Sequence, residues 1–504
     1  MKPPFDPWLT TQVSLDVSMA GRADAAALAA RTRQRLSALL ASAQRGSPMY
    51  RRLLEGRDPR QVSLDELPVV TKRGLMHAFA DWVADPDVHL DALTRFAADP
   101  SRVATPFLDR YIVWESSGSS GEPGVFLQDS RAMAVYDALE ALRRPNWRPM
   151  QRWLDPFGLG DSTVFIGALG GHFASTVSLE RLRRLNPLCA QRVHSLSFLQ
   201  PIDKLVGQLQ ARSPTVVATY PTAAVLLAGE QLAGRLRLSL DEVWTGGETL
   251  TPAMRHHIQE AFGCPVANSY GASEFLTLAA ECCEQHLHLN SDWAILEPVD
   301  AEGRAVEPGM PGVTTLLTNL ANHAQPLIRY DLGDCVTVSP HACACGSHLP
   351  VIEVDGRCDD TLLLGAAGTQ PGIRVLPLAL STVLEEEAGL FDFQLVQQGP
   401  SELDLRTASR GAAAQRALLR GRSALADFLG RQGARGVRIH CHSGVGARRG
   451  RSGKIQRVLV DDAVAAAGDP AATSKVTTPR RERRSHVRGN KEAALRTAAA
   501  RPPR

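Results

Sequence analysis

The 504-residue chain has no apolar run long enough to span a bilayer, so no membrane-spanning segment is expected. Its N-terminus, Met1-Lys-Pro-Pro-Phe-Asp-Pro7, lacks the charged-then-apolar pattern of an export signal, and the cytoplasm is the expected compartment. Nine cysteines, an odd number without such a signal, argue against a disulfide framework. Positive charge is missing where a nucleic-acid face would need it. The net charge of +3 comes from residues 475–504, with ten Lys/Arg against two Asp/Glu; the rest of the chain holds 46 basic and 51 acidic residues, a net of −5. Nucleic acid is therefore not an expected partner of the body, and only the basic tail leaves an acidic partner open.

What is present is an ordinary globular composition, 44% hydrophobic and 22% charged, and enough length for at least two domains. Residues 1–25 show no periodic pattern and are expected to be an irregular lead-in. From Ala26 to Leu54 the apolar spacing predicts a helix, a turn at Gly46-Ser-Pro48 and a short helix. Residues 111–114 read as a buried strand. The loop after it, Glu115-Ser-Ser-Gly-Ser-Ser-Gly-Glu-Pro-Gly124, has little bulk and many free backbone N–H groups, which suits an anion such as a triphosphate. No Gly-Lys-Ser/Thr closes it, so it is not a Walker loop. Further on, strands at 193–197, 214–220 and 241–245 alternate with helices at 129–143, 178–185, 222–232 and from Pro252 to about Phe262. Thr251 and Pro252 supply an N-cap and a first-turn proline for the last of these. The alternation predicts an α/β body with parallel sheet, which binds ligands at the carboxyl ends of its strands. Residues 291–340 read as strand-rich. Strands at 391–397, 403–406 and 437–442 around helices at 377–388 and 411–428 predict a small α+β domain. The Ala-, Pro- and Arg-rich tail reads as disordered.

Six motifs follow one another: the 115–124 loop, Thr245-Gly-Gly-Glu248, Asn268-Ser-Tyr-Gly-Ala-Ser-Glu274, Arg329-Tyr-Asp-Leu-Gly-Asp334, Gly356-Arg-Cys-Asp-Asp360 and Gly453-Lys-Ile-Gln-Arg-Val458. In this order and spacing the chain resembles the adenylate-forming superfamily, and within it the phenylacetate–CoA ligase family, over about residues 30 to 460. The resemblance implies an α/β fold in three parts. A large N-terminal adenylation domain (1–357) has mostly parallel sheets flanked by helices plus a strand-rich subdomain. A small mobile α+β lid domain (358–462) and a disordered basic tail (463–504) follow.

The implied activity is ATP-dependent ligation of a carboxylic acid to coenzyme A, first as acyl-adenylate and then as thioester. ATP, Mg2+ and coenzyme A are the implied cofactors. Ser116, Ser117, Gly118, Ser119, Ser120 and Gly121 would hold the β- and γ-phosphates, although Glu122 stands where the family has a lysine and serines replace its threonines. Gly246, Gly247 and Glu248 would line the adenine pocket. Asn268, Ser269, Tyr270, Gly271 and Ser273 would bind nucleotide, with Tyr270 stacked on adenine. Glu274 would bind Mg2+, a hard cation that takes oxygen ligands. An isolated Ser-Glu or Gly-Asp pair would read as a solvated helix start or a plain turn, and it is the surrounding motif that favours a site. Asp334 would accept from the ribose hydroxyls, Arg357 would make a second ribose or phosphate contact, and Asp359 would be the hinge. Lys454 would reach the α-phosphate during adenylation, a charge used in the transition state and so one that raises kcat. The segment 164–176 is apolar apart from His172, which suggests an aromatic or otherwise apolar acid such as phenylacetate. His172 is open between substrate contact and a structural role.

Two cysteine clusters stand apart from these motifs. Glu281-Cys-Cys-Glu-Gln-His-Leu-His288 and Cys343-Ala-Cys345 offer a Cys3His structural zinc site made of Cys282, His288, Cys343 and Cys345, with Cys283 or His286 as substitutes. Two other functions stay open: transfer of the acyl group to an amine or a carrier-protein thiol, and a non-catalytic nucleotide-binding fold. Monomer and homodimer are equally open.

Overall fold

A computed structural model describes residues 4–116, 124–145, 161–197, 200–357, 362–365, 373–375, 377–447 and 455–461. Asp6 caps the first helix, Pro7–Ala20, by accepting from Trp8 N and Leu9 N, and Pro7 occupies its first turn. The irregular lead-in expected for residues 1–25 is thus a helix over Pro7–Ala20. Val13, Val17 and Ala20 are its buried stripe, and polar residues between them mask the period. Asp24 caps Ala25–Gly46, and Ser47 caps Pro48–Leu53, at the turn the sequence marks.

An antiparallel hairpin, β1 (Ile112–Glu115) and β2 (Val125–Gln128), carries the Ser/Gly loop at its tip. Asp129 caps the following helix, Ser130–Leu142. The main sheet begins with β3 (Thr163–Gly167), β4 (Val193–Ser197), β5 (Val216–Thr219), β6 (Glu242–Gly246) and β7 (Val266–Tyr270), in the order β4-β3-β5-β6-β7 and all parallel. Helices Pro221–Leu232 and Pro252–Phe262 link these strands, and Val164, Ile166, Val217, Val243, Leu227 and Ile258 share one buried core. β8 (Ala279–Glu281) and β9 (Leu287–Leu289) continue the sheet in antiparallel pairing. A separate sheet holds β10 (Ala294–Val299), β11 (Thr314–Asn319) and β12 (Tyr330–Asp331). The chain then returns to the main sheet as β13 (Asp334–Val338) and β14 (Val351–Arg357), with β14 beside β9.

The C-terminal part has its own apolar core, with Leu362, Leu380, Leu384, Leu395, Leu405 and Leu425 each fully buried. Each such side chain contributes roughly 1.5–3 kcal/mol relative to exposure. Its elements are the hairpin β15 (Leu362–Leu364) and β16 (Ile373–Val375), helices Pro377–Glu386 and Ala412–Arg431, and a sheet of β17 (Gln394–Gly399), β18 (Glu402–Thr407), β19 (Arg438–Ser443) and β20 (Val458–Val460) in the order β19-β18-β17-β20. Residues Met1–Asp461 group as one unit. Among the described residues no helix is long and apolar enough to cross a membrane. The tail 463–504 lies outside the described residues.

Candidate active site and metal centre

Described residues of four of the motifs, 245–248, 268–274, 329–334 and 356–357, come together around the carboxyl ends of β6 and β7. Gly246 ends β6, and a Cβ there would lie 2.8 Å from Ser269 Oγ and 3.1 Å from Ser269 O, so glycine eases the close approach of the two strands' ends. Gly247 follows at φ +79°, a left-handed turn that favours glycine. At Gly271 a Cβ would overlap Leu276 O, which makes that position obligatory for the loop after β7. Asn268 is held at both ends: its N–H donates to Glu281 Oε2 at 2.8 Å, and its Oδ1 accepts from Thr245 Oγ1 at 3.1 Å. Ser269 Oγ donates to Thr245 O at 3.4 Å.

Tyr270 donates its hydroxyl to Asp334 Oδ2 at 2.6 Å, and Arg357 Nη1 approaches Asp334 Oδ1 at 3.4 Å. Arg357 also donates to Leu332 O at 3.2 Å. Asp334 starts β13 and Arg357 ends β14, opposite each other in register, so the hairpin delivers both to Tyr270. Burial, and then the charge of Asp334, holds the Tyr270 phenol well above its usual value, so it remains a donor. Glu274 is buried, and its Oε1 accepts from the Tyr330 hydroxyl at 2.7 Å. Burial, then Glu274, likewise raises the Tyr330 phenol. Glu248 accepts from Thr222 N and Oγ1 through Oε2, at 3.2 and 2.7 Å, and from Ile455 N through Oε1 at 3.1 Å.

The hairpin of β1 and β2 is tied to this cluster. Trp114 Nε1 donates to Ser273 O at 2.7 Å. Ser116 Oγ accepts from Gly124 N at 2.8 Å, at the base of the loop. Ser117, Gly118, Ser119, Ser120, Gly121, Glu122, Asp359 and Lys454 lie outside the described residues. Motif reading missed the supports. Gln325 accepts from Leu127 N and donates to Val125 O, at 2.8 and 3.1 Å. Asn322 donates to Leu127 O at 2.6 Å, and Asn319 donates to Glu274 O at 2.9 Å. Their signal was three amides inside an otherwise apolar stretch. His172 is fully buried; its ring nitrogens lie 3.4 Å from Val113 O and 3.0 Å from Asp99 O, which gives it a structural place rather than a pocket-facing one.

The turn between β8 and β9 and the loop between β13 and β14 bring Cys282, His288, Cys343 and Cys345 together, with one ligand atom from each, all within 4.8 Å of one another. Cys282 Sγ lies 3.8 Å from Cys343 Sγ, and Cys345 Sγ lies 3.4 Å from His288 Nε2. Zinc–sulfur bonds of about 2.3 Å in a tetrahedron put sulfurs about 3.8 Å apart, so the donor set fits that ion. His288 Nδ1 faces Leu349 O at 2.8 Å, which makes it the N–H donor and leaves Nε2 as the ligand atom. Cys283 is exposed and turned toward Glu284, whereas His286 Nδ1 stands 3.3 Å from Cys343 Sγ at the rim.

No family model matches the chain. It is 28% identical over 368 residues to the phenylacetate-coenzyme A ligase of Thermus thermophilus, covering 70% of this chain and 74% of that protein. Its fold matches 2-hydroxyisobutyryl-CoA ligase in the postadenylation state with an acyl-AMP, with a TM-score of 0.65 at 21% identity over 89% of this chain and 92% of that one. The same enzyme in the thioesterification state with acyl-AMP and CoA matches at 0.52 and 22% identity, over 88% and 91%.

Proposed function

We infer that this chain, a relative of phenylacetate–coenzyme A ligase on the fold of the acid–CoA ligases, is an AMP-forming carboxylic acid–CoA ligase. The observation that supports this most is the linked set Tyr270, Asp334 and Arg357 beside the buried Glu274, at the carboxyl end of β7 and tied to the β1–β2 hairpin through Trp114. In the reaction a carboxylate oxygen bonds to the α-phosphorus of ATP, and the bond to the leaving pyrophosphate breaks. The coenzyme A thiol, losing its proton, then bonds to the acyl carbon, and AMP leaves.

Asp334, oriented by Tyr270 and Arg357, would accept from the ribose hydroxyls. The Tyr270 ring, fixed by that same hydrogen bond, would offer a face to adenine, against the backbone of Gly246 and Gly247. Glu274 would hold magnesium: Tyr330 fixes one carboxylate oxygen, and no hydrogen bond from a described residue reaches the other. Magnesium, when bound, supplies positive charge to the triphosphate. Ser116 and the loop to Gly121 would wrap the β- and γ-phosphates, and Lys454 would meet the α-phosphate. The acid is aromatic or otherwise apolar on this reading, in keeping with the apolar 164–176 segment and the phenylacetate ligase relative. The domains divide as 1–357, 358–462 and 463–504, with Asp359 the hinge, in a cytoplasmic enzyme.

Pyrophosphate release from ATP and Mg2+ over a panel of carboxylic acids, with and without coenzyme A, tests this. One acid should trigger release, acyl-CoA should appear when coenzyme A is added, and Lys454→Ala should slow release about 10²–10³-fold. A folded, ATP-binding protein that releases pyrophosphate with no acid would sink the reading.

Cys282, His288, Cys343 and Cys345 are proposed as a closed structural zinc site, which ties the β8–β9 turn to the loop before β14 and has no position for substrate. The isolated protein should carry one zinc per chain by elemental analysis. Cys345→Ser should lose it and lower Tm by several degrees. Zinc-free protein with unchanged Tm would remove the proposal.

A further inference from the structure

Glu385 is the one carboxylate of the C-terminal α+β unit that, among the described residues, lies fully buried against the body. It sits near the end of helix Pro377–Glu386, whose apolar face, with Leu380 and Leu384, is fixed in that unit's core. Its two oxygens are used differently. Oε1 pairs with the Arg457 guanidinium, which belongs to the same unit. Oε2 accepts from Thr251 Oγ1, which belongs to the body.

Thr251 is the N-cap of helix Pro252–Phe262, and its hydroxyl oxygen also accepts from Met254 N at 3.2 Å. That helix begins just after the Gly246, Gly247 and Glu248 loop. Arg457 has further contacts: Nη2 donates to Phe391 O at 3.1 Å, Nη1 to Met254 Sδ of the body at 3.6 Å, and the guanidinium lies 4.1 Å over the Phe393 ring. Through the backbone, Leu395 N donates to Arg457 O at 2.7 Å. Two residues earlier, Ile455 N reaches Glu248 Oε1. A stacked pair, His257 on Phe391 at 5.2 Å, lies beside these contacts.

We propose that Glu385 is a positioning residue for the adenylation half-reaction: by joining Thr251 of the body to Arg457, it holds the 455–457 segment against the adenine-side loop at Glu248. This rests on the reading of the chain as an adenylating ligase. Glu385–Arg457 lies within one unit and survives any movement of that unit. Glu385–Thr251 and Ile455–Glu248 join the two and must break if the unit turns for thioester formation. The described arrangement, which overlaps better with the postadenylation form of the solved ligase than with its thioesterification form, is the one in which they are made. Loss of the carboxylate should therefore separate the two half-reactions, whereas loss of general stability would not.

The test uses the full chain with Glu385→Gln, Thr251→Asp and Thr251→Ser. Glu385→Gln leaves Arg457 facing a neutral partner in a buried place and can fail to fold. Thr251→Asp keeps a capping oxygen while it sets a second carboxylate against Glu385. Thr251→Ser keeps both hydrogen bonds. Adenylation, read as pyrophosphate release, should fall about 10²-fold in the first two variants and recover in Thr251→Ser. Acyl-CoA formation from supplied acyl-adenylate should stay within about twofold of the unaltered chain in all three. Equal losses in both half-reactions, or no loss in either, overturn the proposal.

Amide exchange read by mass spectrometry separates this result from the functional reading. Without substrates, Glu385→Gln and Thr251→Asp should speed exchange at Ile455 and over 251–257, with β17 and β18 unchanged. If the unaltered chain fails to adenylate any acid, the functional reading falls, and the exchange data alone decide on Glu385. Unchanged exchange in both variants overturns it.

Discussion

Tyr330 shows what a single hydroxyl can do in this site. It is fully buried, it donates to Glu274 Oε1, and the two residues are 56 positions apart in sequence. Tyr330→Phe keeps the ring and removes only the donor, so on the proposed function the carboxylate is released from the orientation in which it would hold magnesium. Groups that orient a metal ligand typically cost about 10–100-fold in metal affinity or activity when removed. Tyr330→Phe should accordingly raise the Mg2+ concentration needed for half-maximal pyrophosphate release by about that factor; a titration that overlays the unaltered one would refute the role. The motif around Glu274 was readable from sequence because glycines at 246 and 271 and the carboxylates at 274 and 334 keep fixed spacings. The partnership with Tyr330 was not, since nothing local to either residue records it. Tyr270 carried a similar surprise. The sequence offers its ring as an adenine platform and says nothing of its hydroxyl, which is the group that fixes Asp334.

At the scale of elements, the segment from Asn319 to Gln325 acts as a clamp between β2 and the Glu274 loop. Each of its amides meets backbone groups that would otherwise be buried without partners. Such a group left unpaired costs about 1–3 kcal/mol, so the clamp also stabilises the fold. His323 sits within it, with Nε2 buried and unpartnered. Burial first, then Arg131 and Arg45, pushes its imidazole down to about 4. The unfolded chain takes up that proton near pH 6.5. Between these values the unfolded state binds more protons, so the contribution is full above about pH 6.5 and is lost as pH falls toward 4. The whole difference is at most about 3 kcal/mol. His323→Gln should flatten the fall in Tm between pH 6.5 and 4.5, and parallel melting curves for the two proteins would show that another group sets the acid limit. Sequence periodicity does not find a clamp of this kind, because its logic is hydrogen-bond satisfaction rather than hydrophobic spacing.

The whole molecule was legible to different depths. The strands at 193–197, 214–220 and 241–245 and the helices at 222–232 and from Pro252 read correctly because parallel strands are separated by amphipathic helices, and Thr251 caps its helix as the sequence suggests, whereas β3 and the helix Ile202–Arg212 were not marked in it. The small α+β unit read equally well, down to its helices at 377 and 412. The helix Pro7–Ala20 did not, because its short stripe is polar-flanked and is fixed by packing on Ser130–Leu142. Nor did the passage of the main sheet from parallel to antiparallel pairing at β7, which depends on contacts between β9 and β14 that are far apart in sequence. That passage places the site: β7 is the last parallel strand, and the loop beyond it carries Glu274.

Among the described residues, Thr251 to Glu385, Ile455 to Glu248 and Arg457 to Met254 Sδ are hydrogen bonds that join the body to the C-terminal unit, and they exist together in the arrangement described. Their consequence is antagonism between ligands. A molecule that binds best with these bonds made and one that binds best with them broken oppose each other, even if they never touch. The factor by which the first weakens the second equals the factor by which the second weakens the first. On the proposed function, nucleotide and thiol are such a pair, and the seam couples the binding of one to the binding of the other.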